Sequence, residues 1–370
     1  MTLTDQQRLL ATARMERGIL KRQAGDLQAA ADDYRAALKL LEGADQPHDI
    51  RQRAQVQENL SNTLEDAGSY DDALDVIAAA IHDLQAVAGG AGRVTAELAG
   101  TYQNAANKLF KAGDYERARD FAVAALTYYR SATRQGRSDL AEDLARLESM
   151  HALTLERLLD IHGAIEATEA AISAFQQATG TEPATRDRAL GVFMDRLESL
   201  RKLSRSGRAD LPGWLKHIRM KLDTGAVLSR ERDPAHAALF FEEAITCSAY
   251  LIESYPTDEL HALLAESGVS LSYIGYAAGR PLLARRGGRI AIDSRRYLVE
   301  ERGRREQIDL LGGAYMGLAS FLTYFGADAE AEAVLVEMRA CLGRVDPAKL
   351  VDIDAQARDF LAQARAVRES

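Results

Sequence analysis

Two pairs of asparagines occupy matching places in consecutive segments of this chain. They are Asn59 with Asn62 and Asn104 with Asn107, and Glu58 and Gln103 match beside them. A three-residue spacing puts each pair on one face of a helix. A carboxamide both donates and accepts hydrogen bonds, so a row of them can pair with the N–H and C=O groups of an extended peptide. Such a peptide rises about 3.3 Å per residue, so rungs roughly 10 Å apart would meet every third residue. This is chemistry for holding a chain, and the residues that break bonds are not arranged for it. No two of the seven histidines lie three or four residues apart, so none can share a metal on one helix. HExxH, CxxC, GxSxG and the dinucleotide fingerprint are all missing from the sequence. The glycines at 89, 90 and 92 lack the Lys-Ser/Thr ending of a phosphate loop. The adjacent acids Asp32/Asp33 and Asp71/Asp72 are expected on solvated faces. No catalytic residue, metal or cofactor is therefore expected.

Two further groups could bind a partner. Phe110, Tyr273, Tyr276, Tyr315 and Tyr324 fall on the helices that carry the asparagine columns, or on their later equivalents, and could anchor apolar side chains. Residues 279–305 hold nine arginines. Within them Arg285, Arg289 and Arg296 recur at helical spacing, with Arg286 alongside, opposite Ala284, Ala291 and Ile292. They are expected to form an exposed basic stripe. Arginine suits planar carboxylate or phosphate partners, and the readings are a solvated face with Glu300, Glu301 and Glu306 as local partners or, second, an acidic protein partner. Nucleic acid is not expected, because the whole chain carries a net charge of −9.

The elements that must position these residues come from a 14-residue phrase repeated seven times. Its copies start at residues 25, 68, 113, 159, 232, 279 and 326, so they are 43, 45, 46, 73, 47 and 47 residues apart. A period of this size marks a stacked array. The sixth position is Ala in every copy: Ala30, Ala73, Ala118, Ala164, Ala237, Ala284 and Ala331. The thirteenth is Ala in six copies and Met338 in the last. Seven residues before each phrase stands a small residue: Gly18, Ser61, Ala106, Ala152, Gly225, Ser272 or Ala319. Small side chains at fixed columns are what two helices crossing at about 8–10 Å require. In the first copy Gly25 can end one helix and Asp26 can cap the next. Applied throughout, the spacing predicts seven antiparallel helix pairs, each with a leading A helix and a following B helix.

A small residue, a seven-residue gap, a Gly-Asp-aromatic turn, then Ala and Ala-Leu together resemble the tetratricopeptide repeat, over about residues 8–342. The unit of 43–47 residues is longer than that family's 34, and its early Trp and closing Pro are missing. HEAT repeats share the longer spacing, but the Gly-Asp-Tyr turn argues against them. The resemblance implies an all-α, right-handed superhelical solenoid whose A helices line a concave groove. It also implies that Asn59, Asn62, Asn104, Asn107, Glu58, Gln103, Phe110, Tyr273 and Tyr276 face a bound protein or peptide. The expected function is a non-catalytic scaffold or adaptor with a second contact on the basic B-helix face. The alternative is a peptide- or partner-responsive regulatory subunit in bacterial signalling or defence, and an enzyme assembled across repeats ranks third.

The 73-residue interval breaks the rhythm. It contains a helical pattern at 186–205 without a partner phrase, followed by residues 206–213 with Gly207, Pro212 and Gly213. The expected organisation is an N-terminal array over 1–205, a C-terminal array of three repeats over 206–345, and a capping helix and tail over 346–370. Residues 1–180 hold 19 Lys/Arg against 27 Asp/Glu, whereas residues 196–305 hold 19 against 14. With no signal-like start, no long apolar run and only Cys247 and Cys341 as cysteines, a cytoplasmic protein with buried free thiols and no membrane contact is expected.

Overall fold

A computed structural model describes residues 3–88, 95–178, 183–206 and 210–369. These residues are helical almost throughout and include no strand. The helix pairs are α1 (Asp5–Gln23) with α2 (Leu27–Leu40), α3 (Pro47–Asp66) with α4 (Tyr70–Ala88), α5 (Ala96–Ala112) with α6 (Tyr115–Arg134), and α7 (Ala141–Arg157) with α8 (Ile161–Gln177). The unpaired helix is α9 (Pro183–Ser206). Then come α10 (Leu211–Arg230) with α11 (Pro234–Ser254), α12 (Asp258–Ala277) with α13 (Pro281–Arg296), and α14 (Ile308–Tyr324) with α15 (Asp328–Val345). The C-terminal helix is α16 (Pro347–Glu369). Two compact units divide the chain, Met1–Leu200 and Arg201–Ser370. The glycine-rich stretch at 89–92 and Gly207 of the 206–213 segment lie outside the described residues.

The three small columns do the packing expected of them. Every sixth-position alanine is at most 1% exposed, and every thirteenth-position residue, Met338 included, is fully buried. The A-helix column is buried from Gly18 to Ala319. Where that column is glycine, the space is filled by an aromatic ring from the tenth position of the phrase. A Cβ at Gly18 would stand 2.7 Å from the Tyr34 ring, and one at Gly225 would stand 2.7 Å from the Phe241 ring. Where the column is serine, its hydroxyl donates to the carbonyl of the sixth-position alanine. Ser61 Oγ reaches Ala73 O at 2.7 Å and Ser272 Oγ reaches Ala284 O at 2.7 Å, so a polar atom is buried without cost of an unmade bond. Helices α12 and α13 approach each other backbone to backbone. A Cβ on Gly275 would lie 2.4 Å from Ala284 N, and one on Gly287 would lie 2.4 Å from Ser272 N.

The turns follow the same columns. The first position of the phrase has left-handed backbone in every copy, with φ from 64° to 92° at Gly25, Gly68, Gly113, Gly279 and Gly326. Leu159 (φ 65°) and Arg232 (φ 62°) hold that conformation without glycine's freedom. The second position caps the B helix: the side chains of Asp26, Asp114, Asp160 and Asp233 each accept from a backbone N–H three residues on. Arg280 and Ala327 make no such bond. Asp210 caps α10, with Pro212 in its first turn.

One expectation about the surface fails here. Asp33 is not solvated but 3% exposed, and it is held by Arg14 at 3.1 Å, Arg17 Nε at 2.7 Å and Lys21 at 2.8 Å. Two acids adjacent in sequence point to different faces of α2, and the inner one meets three cations of α1. Their charge, led by Arg17, holds the Asp33 carboxyl well below the ordinary carboxylate range. Both cysteines are free and buried, and no helix among the described residues is long and apolar enough to cross a membrane.

Candidate functional site

The A helices of the second and third repeats, α3 and α5, lie beside each other and share a run of polar contacts. Thr101 donates its hydroxyl to the Glu58 carboxylate. Lys108, only 3% exposed, donates to Asn62 Oδ1 at 2.8 Å and pairs with Glu65. Lys111 reaches the other Glu65 oxygen at 2.6 Å. Desolvation lowers the Lys108 ammonium from its usual value, and Glu65 opposes that shift. Thus Asn62 ties one A helix to the next.

Toward the N-terminal ends of the same helices the contacts open into a cavity of about 580 Å³. Its walls are His48, Arg51, Gln52, Ala54, Gln55 and Glu58 from α3, Ala96, Glu97, Gly100, Thr101 and Asn104 from α5, and Leu84 from α4. Gln52, Gln55 and Glu58 lie one turn apart along α3, and Gly100 and Asn104 stand one turn apart on α5. A Cβ on Gly100 would meet nothing within 4 Å, so the missing side chain leaves open space. Arg51 Nε and Glu97 Oε2 pair across the rim at 3.2 Å, and Gln52 donates to Thr12 of α1 at 2.8 Å. Burial pushes the Glu58 carboxyl above its ordinary value, with Thr101 and Lys108 pulling the other way.

Of the columns read from sequence, Glu58 and Asn104 line the cavity, whereas Asn59, Asn62, Gln103 and Asn107 do not. Those four are half-buried. The cavity residues that the sequence reading missed are His48, Arg51, Gln52, Gln55, Glu97, Gly100 and Thr101. A signal was present: 52, 55 and 58 continue the asparagine face upstream at three-residue steps, and Gly100 is a glycine in a helix interior.

The aromatic residues are mostly packed against one another. Phe110 meets Tyr115 edge-on at 5.4 Å. Tyr276 stacks on Phe321 at 4.8 Å and meets Tyr324 edge-on at 4.8 Å. Tyr315 is fully buried, with its hydroxyl donating to Glu337 at 3.2 Å, and so is core and not groove. Tyr273 is open, at 57% exposed.

The basic stripe requires correction. Arg285, Arg286, Arg289 and Arg296 are half-buried, and each meets a carboxylate from a neighbouring repeat. Arg285 pairs with Glu330 at 2.6 Å and Arg286 with Glu242 at 2.5 Å. Arg289 at 2.5 Å and Arg296 at 2.8 Å share Glu337, and Arg296 also meets Asp293 at 2.8 Å. The acids Glu300, Glu301 and Glu306, adjacent in sequence, are not their partners. The stripe therefore joins repeats through paired, partly exposed charges.

No family model and no curated protein sequence matches the chain. Solved structures that match include BtubC from P. vanneervenii, at 16% identity over 77% of this chain and 92% of that one, with a TM-score of 0.32. A Rap protein complexed with competence and sporulation factor matches at 12% identity over 95% of this chain and 76% of that one, with a TM-score of 0.35. The TPR2AB-domain:pHSP90 complex of yeast Sti1 matches at 15% identity over 86% and 98%, with a TM-score of 0.29. The fold is established by the helix pairs themselves and not by these likenesses. With small residues at every A–B crossing, left-handed turns at every first position and antiparallel pairs throughout, the chain is a tetratricopeptide-like helical-repeat protein.

Proposed function

We propose that this protein is a non-catalytic interaction protein that holds an extended segment of a protein partner in the α3–α4–α5 cavity. The observation that supports this most is the lining itself. Gln52, Gln55 and Asn104 offer carboxamides from two adjacent A helices beside the buried apolar Ala54 and Leu84. Carboxamides hold a peptide backbone whatever its side chains, and the apolar lining supplies the burial that gives affinity. The cavity volume falls in the range of about 300–1,000 Å³ usual for ligand sites. The paired arginines of α13 are not included in this reading.

The test is selection of a random heptapeptide library against the full chain, repeated with Gly100→Trp. Gly100 borders open space and lines the cavity, so a Cβ there displaces no neighbour and the indole adds bulk to the cavity. Selected peptides should lose binding to Gly100→Trp while its helicity, by circular dichroism, stays that of the parent. Peptides that bind the two proteins equally would refute this site.

A further inference from the structure

Among the described residues, one cavity carboxylate, Glu58, forms no ion pair. The cavity's ionisable walls are His48, Arg51, Glu58 and Glu97. Arg51 is taken by Glu97 at 3.2 Å. His48 Nε2 sits 2.9 Å from Asp49 Oδ1, and Arg8 holds the same acid at 2.7 Å. Glu58 accepts only the Thr101 hydroxyl. Lys108, whose charge reaches Glu58, has its ammonium committed to Glu65 and to Asn62 at 2.8 Å. Apart from His48, the walls carry one positive and two negative charges, those of Arg51, Glu58 and Glu97.

A half-buried carboxylate pays part of its desolvation in advance. A hydrogen-bonded cation recovers that cost, whereas a second anion adds to it. Deepening the reading above, we propose that the cavity takes a basic side chain, lysine or arginine, of the partner segment. Its cation pairs with Glu58, and the carboxamides of Gln52, Gln55 and Asn104 hold the flanking backbone. The first unit's surroundings favour the same sign, since residues 1–180 carry 27 acids against 19 bases and would steer a cationic segment inward. This differs in sign from the acidic partner expected from the arginine block, where Arg285, Arg286, Arg289 and Arg296 meet carboxylates of the protein itself.

The experiment uses the full chain and terminally blocked heptapeptides of Gly and Ser with Lys, Arg, norleucine or Glu at the centre. Binding is measured by titration calorimetry, alongside the random library. The Lys and Arg peptides should bind about tenfold or more tightly than the norleucine peptide, the worth of one charge-assisted bond. The Glu peptide should bind least. Glu58→Gln, which keeps the Thr101 contact, should remove the preference for Lys and Arg over norleucine. Gly100→Trp should abolish binding of all four. If the library yields peptides sensitive to Gly100→Trp but not enriched in Lys or Arg, or if Glu58→Gln leaves the preference intact, the cation proposal falls and the cavity reading stands. If selected peptides ignore Gly100→Trp, both fall.

Discussion

Replacing Gly225 by alanine should destabilise the second unit, although alanine is the better helix former. A Cβ there would lie 2.7, 2.9 and 3.0 Å from Cε1, Cζ and Cδ1 of Phe241, a ring only 3% exposed and unable to swing into solvent. Overpacking of this kind costs about 1–3 kcal/mol. The helix-propensity gain from Gly to Ala returns about 0.8–1.0 kcal/mol. The net loss expected is about 1 kcal/mol. Phe241→Leu alone should cost about 1–2 kcal/mol through lost burial and a small cavity. The double variant recreates a pair that the chain already uses, because the same two columns read Ala319 and Leu335 in the last repeat. It should therefore be more stable than the sum of the single effects by about 1 kcal/mol. Urea unfolding followed by tryptophan fluorescence measures this locally. The one tryptophan of the chain, Trp214, lies in α10 with Gly225 and is 7% exposed. Additivity within about 0.5 kcal/mol would refute the claim that glycine is there to admit the ring.

Other outcomes follow from the same geometry. Arg232→Gly should stabilise by about 1 kcal/mol in urea melts, because an exposed non-glycine residue holds φ 62° there. Ala327→Asp should add about 0.5–2 kcal/mol by capping α15 as Asp26, Asp114, Asp160 and Asp233 cap their helices; an unchanged midpoint would count against the repeat register. The Asp33 carboxyl is depressed, so its stabilising effect is present above its unfolded value near about 3.9 and is lost as pH falls below that. Asp33→Asn should therefore destabilise the parent at pH 7 and change acid unfolding less, read by circular dichroism across pH 2–7.

Local chemistry explains which parts of this structure could be read from the sequence. The helix pairs were visible because a left-handed glycine, a capping aspartate and small crossing residues each act within a few positions of one another. Leu159 and Arg232 show that the frame persists even where the glycine is lost. What escaped is set by side chains that cross between helices. Arg285 and Glu330 are 45 residues apart, Arg289 and Glu337 48 apart, and no periodicity says which of several arginines an acid will meet. Asp33 escaped for a related reason: its three cations come from α1, on the far side of a turn. The cavity was half legible. Glu58 and Asn104 stood in the right columns, but the opening also involves Gly100, whose missing side chain leaves open space.

The arginine–glutamate contacts of the second unit have a consequence for how that unit comes apart. Arg286 reaches back to Glu242 of α11, while Arg285, Arg289 and Arg296 reach forward to Glu330 and Glu337 of α15. One helix, α13, thus holds hands with both neighbours in a linear lattice, where global stability is a sum of site energies and nearest-neighbour couplings. The three forward pairs are half-exposed and belong to the coupling and not to the sites, and mobile ions screen them over about 3 Å at 1 M salt. Salt then acts on the range of correlation along the array: repeats that melt together in dilute buffer would begin to melt one by one.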